Sequence, residues 1–99
     1  TERFGIGTKI DSSLLDLLDI LRKATYASIQ EKILLLEGAL QRVDSIRFFL
    51  QLCWETKLIA HNRYAEVGVN IEEIGRMIGG WRKGLLAKIN PAVSGERKE

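Results

Sequence analysis

The sequence predicts an all-α chain of antiparallel helices joined by short turns. Three observations lead there. Three segments repeat apolar residues at three- and four-residue spacing. No stretch alternates apolar and polar residues as a half-buried strand does. The single proline, Pro91, stands close to the end of the 99-residue chain, so nothing before it breaks a helix.

The elements follow in order. Residues 1–9 (TERFGIGTK) hold two glycines and no strong period, and read as a loop. A first helix is expected from Ser13 to Ala27, opened by Asp11, Ser12 or Ser13. Ser13 with Asp16 resembles a capping box. Leu14, Leu17, Leu18, Leu21, Ala24 and Thr25 form its apolar stripe; Asp16, Asp19, Arg22 and Lys23 fall off it. Asp19 and Lys23 are a favourable i,i+4 pair.

Ser28 and Glu31 form a second capping-box pattern and mark a break before a second helix, Ile29 to Lys57. Ile33, Leu36, Leu40, Val43, Ile46, Leu50 and Cys53 make one stripe, with Arg47 and Trp54 beside it. Leu34, Leu35, Phe48, Phe49 and Leu52 form a second apolar set. A helix apolar over so wide an arc needs cover on two sides, which predicts an intermolecular contact. A turn over Leu58–Tyr64 leads into a third helix, Arg63 to Ile89. Val67, Ile71, Ile74, Ile78, Trp81, Leu85 and Lys88 alternate four- and three-residue steps along it. Gly75, Gly79, Gly80 and Gly84 lie in the same helix, each costing about 1 kcal/mol relative to Ala. Close packing against another helix is the expected reason. Asn90-Pro91 stops the helix, leaving a bundle domain over 1–90 and a polar tail over 91–99 expected to be disordered.

Several functions are excluded by composition. No apolar run reaches the ~18 residues needed to span a bilayer. One cysteine, Cys53, and one histidine, His61, cannot build a Cys/His zinc cluster. Glu72 and Glu73 are adjacent and point about 100° apart on a helix, so they make no catalytic dyad. Cys53 sits among Leu50, Leu52 and Trp54 and reads as an inert buried thiol. No acid, base and nucleophile are matched, so the chain is expected to be a non-enzyme without metal or cofactor. No signal peptide leads the sequence, and a cytoplasmic location is expected.

Charge is uneven. The chain carries a net +2, but residues 1–75 hold nine Lys/Arg against eleven Asp/Glu. Residues 76–99 hold six against two. Arg76, Arg82, Lys83 and Lys88 lie in a stretch with no acid. Cations there suit the negative end of a helix, and equally a phosphate or an acidic partner.

The stretches ERFGIGTKIDSSLLDLL and IEEIGRMIGGWRKGLL, with DSIRFFLQL between them, resemble the accessory variability determinant (Avd) family of diversity-generating retroelements. Its superfamily is shared with proteins encoded by 23S rRNA intervening sequences. The resemblance covers roughly residues 2–89. It implies an up-and-down four-helix bundle that assembles into a barrel-like homopentamer. That assembly would bind the reverse transcriptase and template RNA through a basic surface, supporting error-prone cDNA synthesis without catalysing it. Two departures stand out. The family has a helix before ERFGIG, so the three helices here would be its second to fourth. The family also often has two arginines one turn apart on the middle helix; Arg47 matches the first, and Gln51 replaces the second.

On this reading the phosphate-binding residues would be Arg76, Arg82, Lys83 and Lys88, with Arg47, Arg22 and Lys23 as further candidates. Arg47 falls on or beside the apolar stripe and needs an acidic partner or an edge position, an inter-subunit salt bridge and a nucleic-acid contact being equally open. Reversing Arg82 and Lys83 to Glu is expected to weaken RNA binding while leaving the fold intact. The alternative is a structural helical adaptor whose apolar faces bind protein.

Overall fold

The structure, a computed structural model, describes residues 2–89, with the side chains of residues 9–89. It contains three helices: α1 (Glu2–Tyr26), α2 (Ile29–Glu55) and α3 (His61–Ile89). Among the described residues there is no strand.

The first helix begins earlier than the sequence suggests. Residues 2–9, expected as a loop, are the opening turns of α1. The glycines at 5 and 7 weaken that stretch, but a helix already formed from residue 10 onward extends by one hydrogen bond per residue. The Ser13–Asp16 pattern therefore lies inside α1 and caps nothing. The polar tail over 91–99 lies outside the described residues.

The break between α1 and α2 is built as the sequence reads. Ser28 is extended, its side chain accepts from the Glu31 backbone N–H, and the Glu31 carboxylate accepts from the Ser28 N–H. At its other end α2 closes without a glycine. Lys57 adopts a left-handed φ of 64°. Its N–H donates to Trp54 O at 3.0 Å, and the Leu58 N–H donates to Cys53 O at 2.8 Å. These two bonds are a Schellman closure, in which the left-handed position is ordinarily glycine. Trp54 then stacks on Tyr64 of α3 with centroids 4.7 Å apart, pinning the turn.

Neighbouring helices run in opposite directions. Along the α2–α3 seam, Arg47 meets Glu72, Val43 meets Gly75 and Glu37 meets Arg82, so one number falls as the other rises. On the other side Arg42 of α2 faces Asp16 of α1 at 3.8 Å. Among the described residues the backbones of α1 and α3 stay more than 8 Å apart, while α2 lies against both. Of the twelve buried apolar residues among those described, α2 supplies seven, Ile33, Leu36, Ala39, Val43, Ile46, Leu50 and Cys53, which makes it the spine of the core. Leu17 and Ala24 come from α1, and Ile71, Ile78 and Leu85 from α3. Burying a side chain such as Leu36 or Ile46 contributes about 1.5–3 kcal/mol.

Because α1 and α3 stand apart, a groove runs between them over α2. One end of it, about 360 Å³, is lined by Leu14 of α1, Leu50 and Cys53 of α2, and Val67 of α3. The expected α3 seam is thus only half covered. Ile71, Ile78 and Leu85 are buried against α2, whereas Val67 and Ile74 are half-buried and Trp81 and Lys88 exposed. The glycines also divide. A Cβ on Gly75 would lie 3.3 Å from Val43 Cγ1, so close packing explains this one. Gly79, Gly80 and Gly84 have nothing within 4 Å of such an atom, so helix contact within the chain does not explain them.

Candidate nucleic-acid interface

The seven cations singled out from the sequence fall into three places. Arg47 and Arg82 sit on the α2–α3 seam. Arg76, Lys83 and Lys88 lie on the exposed surface of α3. Arg22 and Lys23 are on α1, whose backbone stays more than 8 Å from that of α3.

Carboxylates hold most of them. Arg47 donates through Nε to Glu72 Oε2 at 2.7 Å and through Nη1 to Asp44 Oδ1 at 2.6 Å. A second nitrogen, Nη2, reaches Glu72 Oε1 at 3.3 Å, making the Glu72 pair two-pronged. The Glu72 hydrogen bonds, supplemented by those of Asp44, push the Arg47 pKa above its ordinary value. The acidic partner that Arg47 required is therefore in its own chain. Arg82 donates through Nη2 to Glu37 Oε2 across the same seam. Its Nε is buried without a hydrogen-bond partner, so Glu37 is the main compensation for a half-buried guanidinium. Arg22 and Lys23 converge on Asp19, at 2.8 and 3.4 Å. The hydrogen bond from Arg22, then that from Lys23, holds the Asp19 carboxyl below its usual range. Arg76 pairs with Glu73 one turn back, at 3.0 Å.

Lys83 and Lys88 differ. Both are exposed, and neither forms an ion pair among the described residues. They lie five positions apart, about 140° round the helix, and so present charge over a broad arc rather than a pocket. Arg76 and Lys83, seven apart, share one side. The arrangement suits a flexible polyanion contacted at its phosphates, and it lacks any aligned set of donors that would read base edges.

Sequence reasoning missed Glu37 and Glu72 as partners, since each lies 25 or more residues from its arginine. No signal short of the helix register identifies them. Cys53 is buried, and burial raises its thiol pKa, in keeping with an unreactive packing residue. Among the described residues no three His, Cys, Asp or Glu side chains gather to hold a metal ion. No helix there is long and apolar enough to cross a membrane. Compared with protein-family models, with curated proteins and with solved structures, the chain matches none.

Proposed function

We propose that this chain is a non-catalytic accessory protein that binds RNA through phosphate contacts on α3 and holds it near a polymerase. On the resemblance to the Avd family, that polymerase is the reverse transcriptase of a diversity-generating retroelement and the chain is part of an up-and-down bundle; the proposed setting is the cytoplasm. The observation that carries the reading is the pair Lys83 and Lys88, whose charges no carboxylate among the described residues neutralises. Arg76 adds to that surface. Arg47, Arg82, Arg22 and Lys23 contribute to the wider field while holding the fold.

The mechanism is electrostatic. Lysines neutralise phosphates, counterions are released, and the local RNA concentration rises. Three single-strand contacts give a log–log salt slope of about −2, so affinity falls by roughly 20-fold between 50 and 200 mM salt. Fluorescence anisotropy with a labelled single-stranded RNA measures it. The double variant Lys83→Glu/Lys88→Glu is expected to weaken binding and flatten the slope. Unchanged binding refutes the site.

The second reading, a protein-binding helical adaptor, draws on the exposed apolar side chains Leu18, Phe48 and Met77. It requires no salt-dependent RNA binding, so the same titration separates the two.

A further inference from the structure

A pocket of about 370 Å³ opens on the α2–α3 seam, with no residue of α1 in its lining. Its volume is within the range of ligand sites. Tyr64 stands at one end, and the Arg47–Glu72 pair closes the other, two turns further along α3. Leu50 and Ile71, both buried, make the apolar floor between them. Gly68 lies midway with nothing within 4 Å of where a Cβ would stand, so bare backbone faces the opening. The Tyr64 ring lies 6° from parallel to Trp54, with centroids 4.7 Å apart. That contact covers one face, so Tyr64 offers the pocket its other face or its edge, on a ring already held in place. The far end is polar but not cationic, since one guanidinium meets the two carboxylates of Glu72 and Asp44. Each carboxylate oxygen keeps a second lone pair, so Glu72 can still accept a hydrogen bond. Val69, on the rim of the pocket, is followed at seven-residue steps by Arg76 and Lys83. The three share one line on α3, about 10 Å apart. Exposed Gly80 lies between the two cations and places no side chain in the way.

We infer that this pocket takes one unpaired nucleoside of a bound RNA strand, its base stacked against Tyr64 and its neutral polar groups turned toward Glu72 and Arg47. The inference rests on the RNA-binding reading above and adds a base contact to its phosphate contacts. A strand held by its phosphates at Lys83 and Arg76 runs on along the same line of α3 into the opening. The phosphate itself stays outside, because the surplus carboxylate at the far end repels an anion. Stacking is sequence-tolerant, since every base has a π-face, so the contact distinguishes an unpaired base from none rather than one base from another. An aliphatic side chain of a protein partner would use the apolar floor, but neither the polar end nor the cations in line with it.

The test is fluorescence anisotropy of the 99-residue chain with a labelled single-stranded RNA and with an abasic ribose–phosphate strand of the same length. Wild type is expected to bind the base-bearing strand about tenfold more tightly. Gly68→Leu should erase that preference, because the new side chain meets open space in the fold and fills the pocket. Its salt slope should stay unchanged, since the phosphate contacts are untouched. Tyr64→Phe keeps the ring and should keep the preference, whereas Tyr64→Leu should lose it. Lys83→Glu/Lys88→Glu should weaken binding of both strands alike and leave the preference in place. A role confined to packing predicts no difference between the strands in any variant. Equal affinity of wild type for the two strands overturns the pocket while the phosphate-binding reading stands. A preference that survives Gly68→Leu overturns it too. Binding of neither strand overturns both.

Discussion

Two glycines four residues apart in α3 should respond in opposite ways to the same added methyl group. Gly→Ala in a helix interior stabilises by about 1 kcal/mol, because the glycine chain loses more freedom on folding. At Gly79 nothing lies within 4 Å of the new Cβ, so the whole gain should appear. For a domain of this size that is a rise in Tm of about 4–8 °C. At Gly75 the new Cβ would sit 3.3 Å from Val43 Cγ1. Val43 is only 1% exposed, and β-branching leaves it few rotamers by which to retreat. Forcing one carbon into a packed seam costs about 1–3 kcal/mol, which cancels or reverses the propensity gain. Gly75→Ala should therefore melt at or below the wild-type temperature, and Gly79→Ala above it. Thermal denaturation followed by far-UV circular dichroism measures both. Equal shifts would refute the account of the α2–α3 seam. A fall for Gly79→Ala would mean that its surface is covered in solution.

Other expectations follow from single contacts. Leu36→Ala removes a side chain with no exposed surface and should cost about 2–5 kcal/mol in chemical denaturation. Ser28→Ala removes the capping-box acceptor and should cost about 1 kcal/mol by the same measurement. Lys57→Gly relieves a left-handed lysine and should stabilise by about 1 kcal/mol; a loss would contradict the Schellman reading. Cys53 should resist a thiol reagent at pH 8 until the chain is unfolded. Its folded pKa is raised, so the stability linked to this thiol is full below the ordinary pKa of 9.0 and declines as pH rises above it.

The core was legible because it is local. The three- and four-residue spacing on α2 places Ile33, Leu36, Val43, Ile46, Leu50 and Cys53 on one arc whatever the neighbours are, and all six are buried; Leu40 of the same stripe is half-buried, and its neighbour Ala39 is buried instead. The Ser28–Glu31 box was legible for the same reason. What spacing does not carry is which arc meets which helix. Ile74 and Trp81 continue the α3 pattern, yet Ile74 only borders the core and Trp81 is exposed. Gly79 and Gly84 look like Gly75 in sequence, and only the crossing point at Val43 tells them apart. The early start of α1 was hidden because glycine and threonine lower helix propensity without forbidding a helix. Lys57 concealed the end of α2, since its left-handed backbone is normally announced by glycine.

The same distinction decides which charge reversals can test RNA binding. Arg82 and Lys83 are neighbours in sequence and look interchangeable there. In the fold Arg82 is half-buried against Glu37 with its Nε unpaired, while Lys83 is exposed. Arg82→Glu would set two carboxylates against each other on the α2–α3 seam, at a cost of about 2–3 kcal/mol from the broken pair alone. Lost RNA binding in that variant would report a loosened α3 as readily as a lost phosphate contact. Reversing Lys83 and Lys88 disturbs no ion pair among the described residues, so the loss in stability should not exceed the cost of an acid in the last turn of α3, about 1 kcal/mol. The informative comparison is therefore Arg82→Glu with Lys83→Glu/Lys88→Glu, each measured for melting and for salt slope. If the first loses stability and the second loses only RNA affinity, the exposed lysines are the binding surface. If the Arg82 variant melts like wild type, the Glu37 pair contributes nothing to the seam, and Arg82 joins the phosphate-binding set.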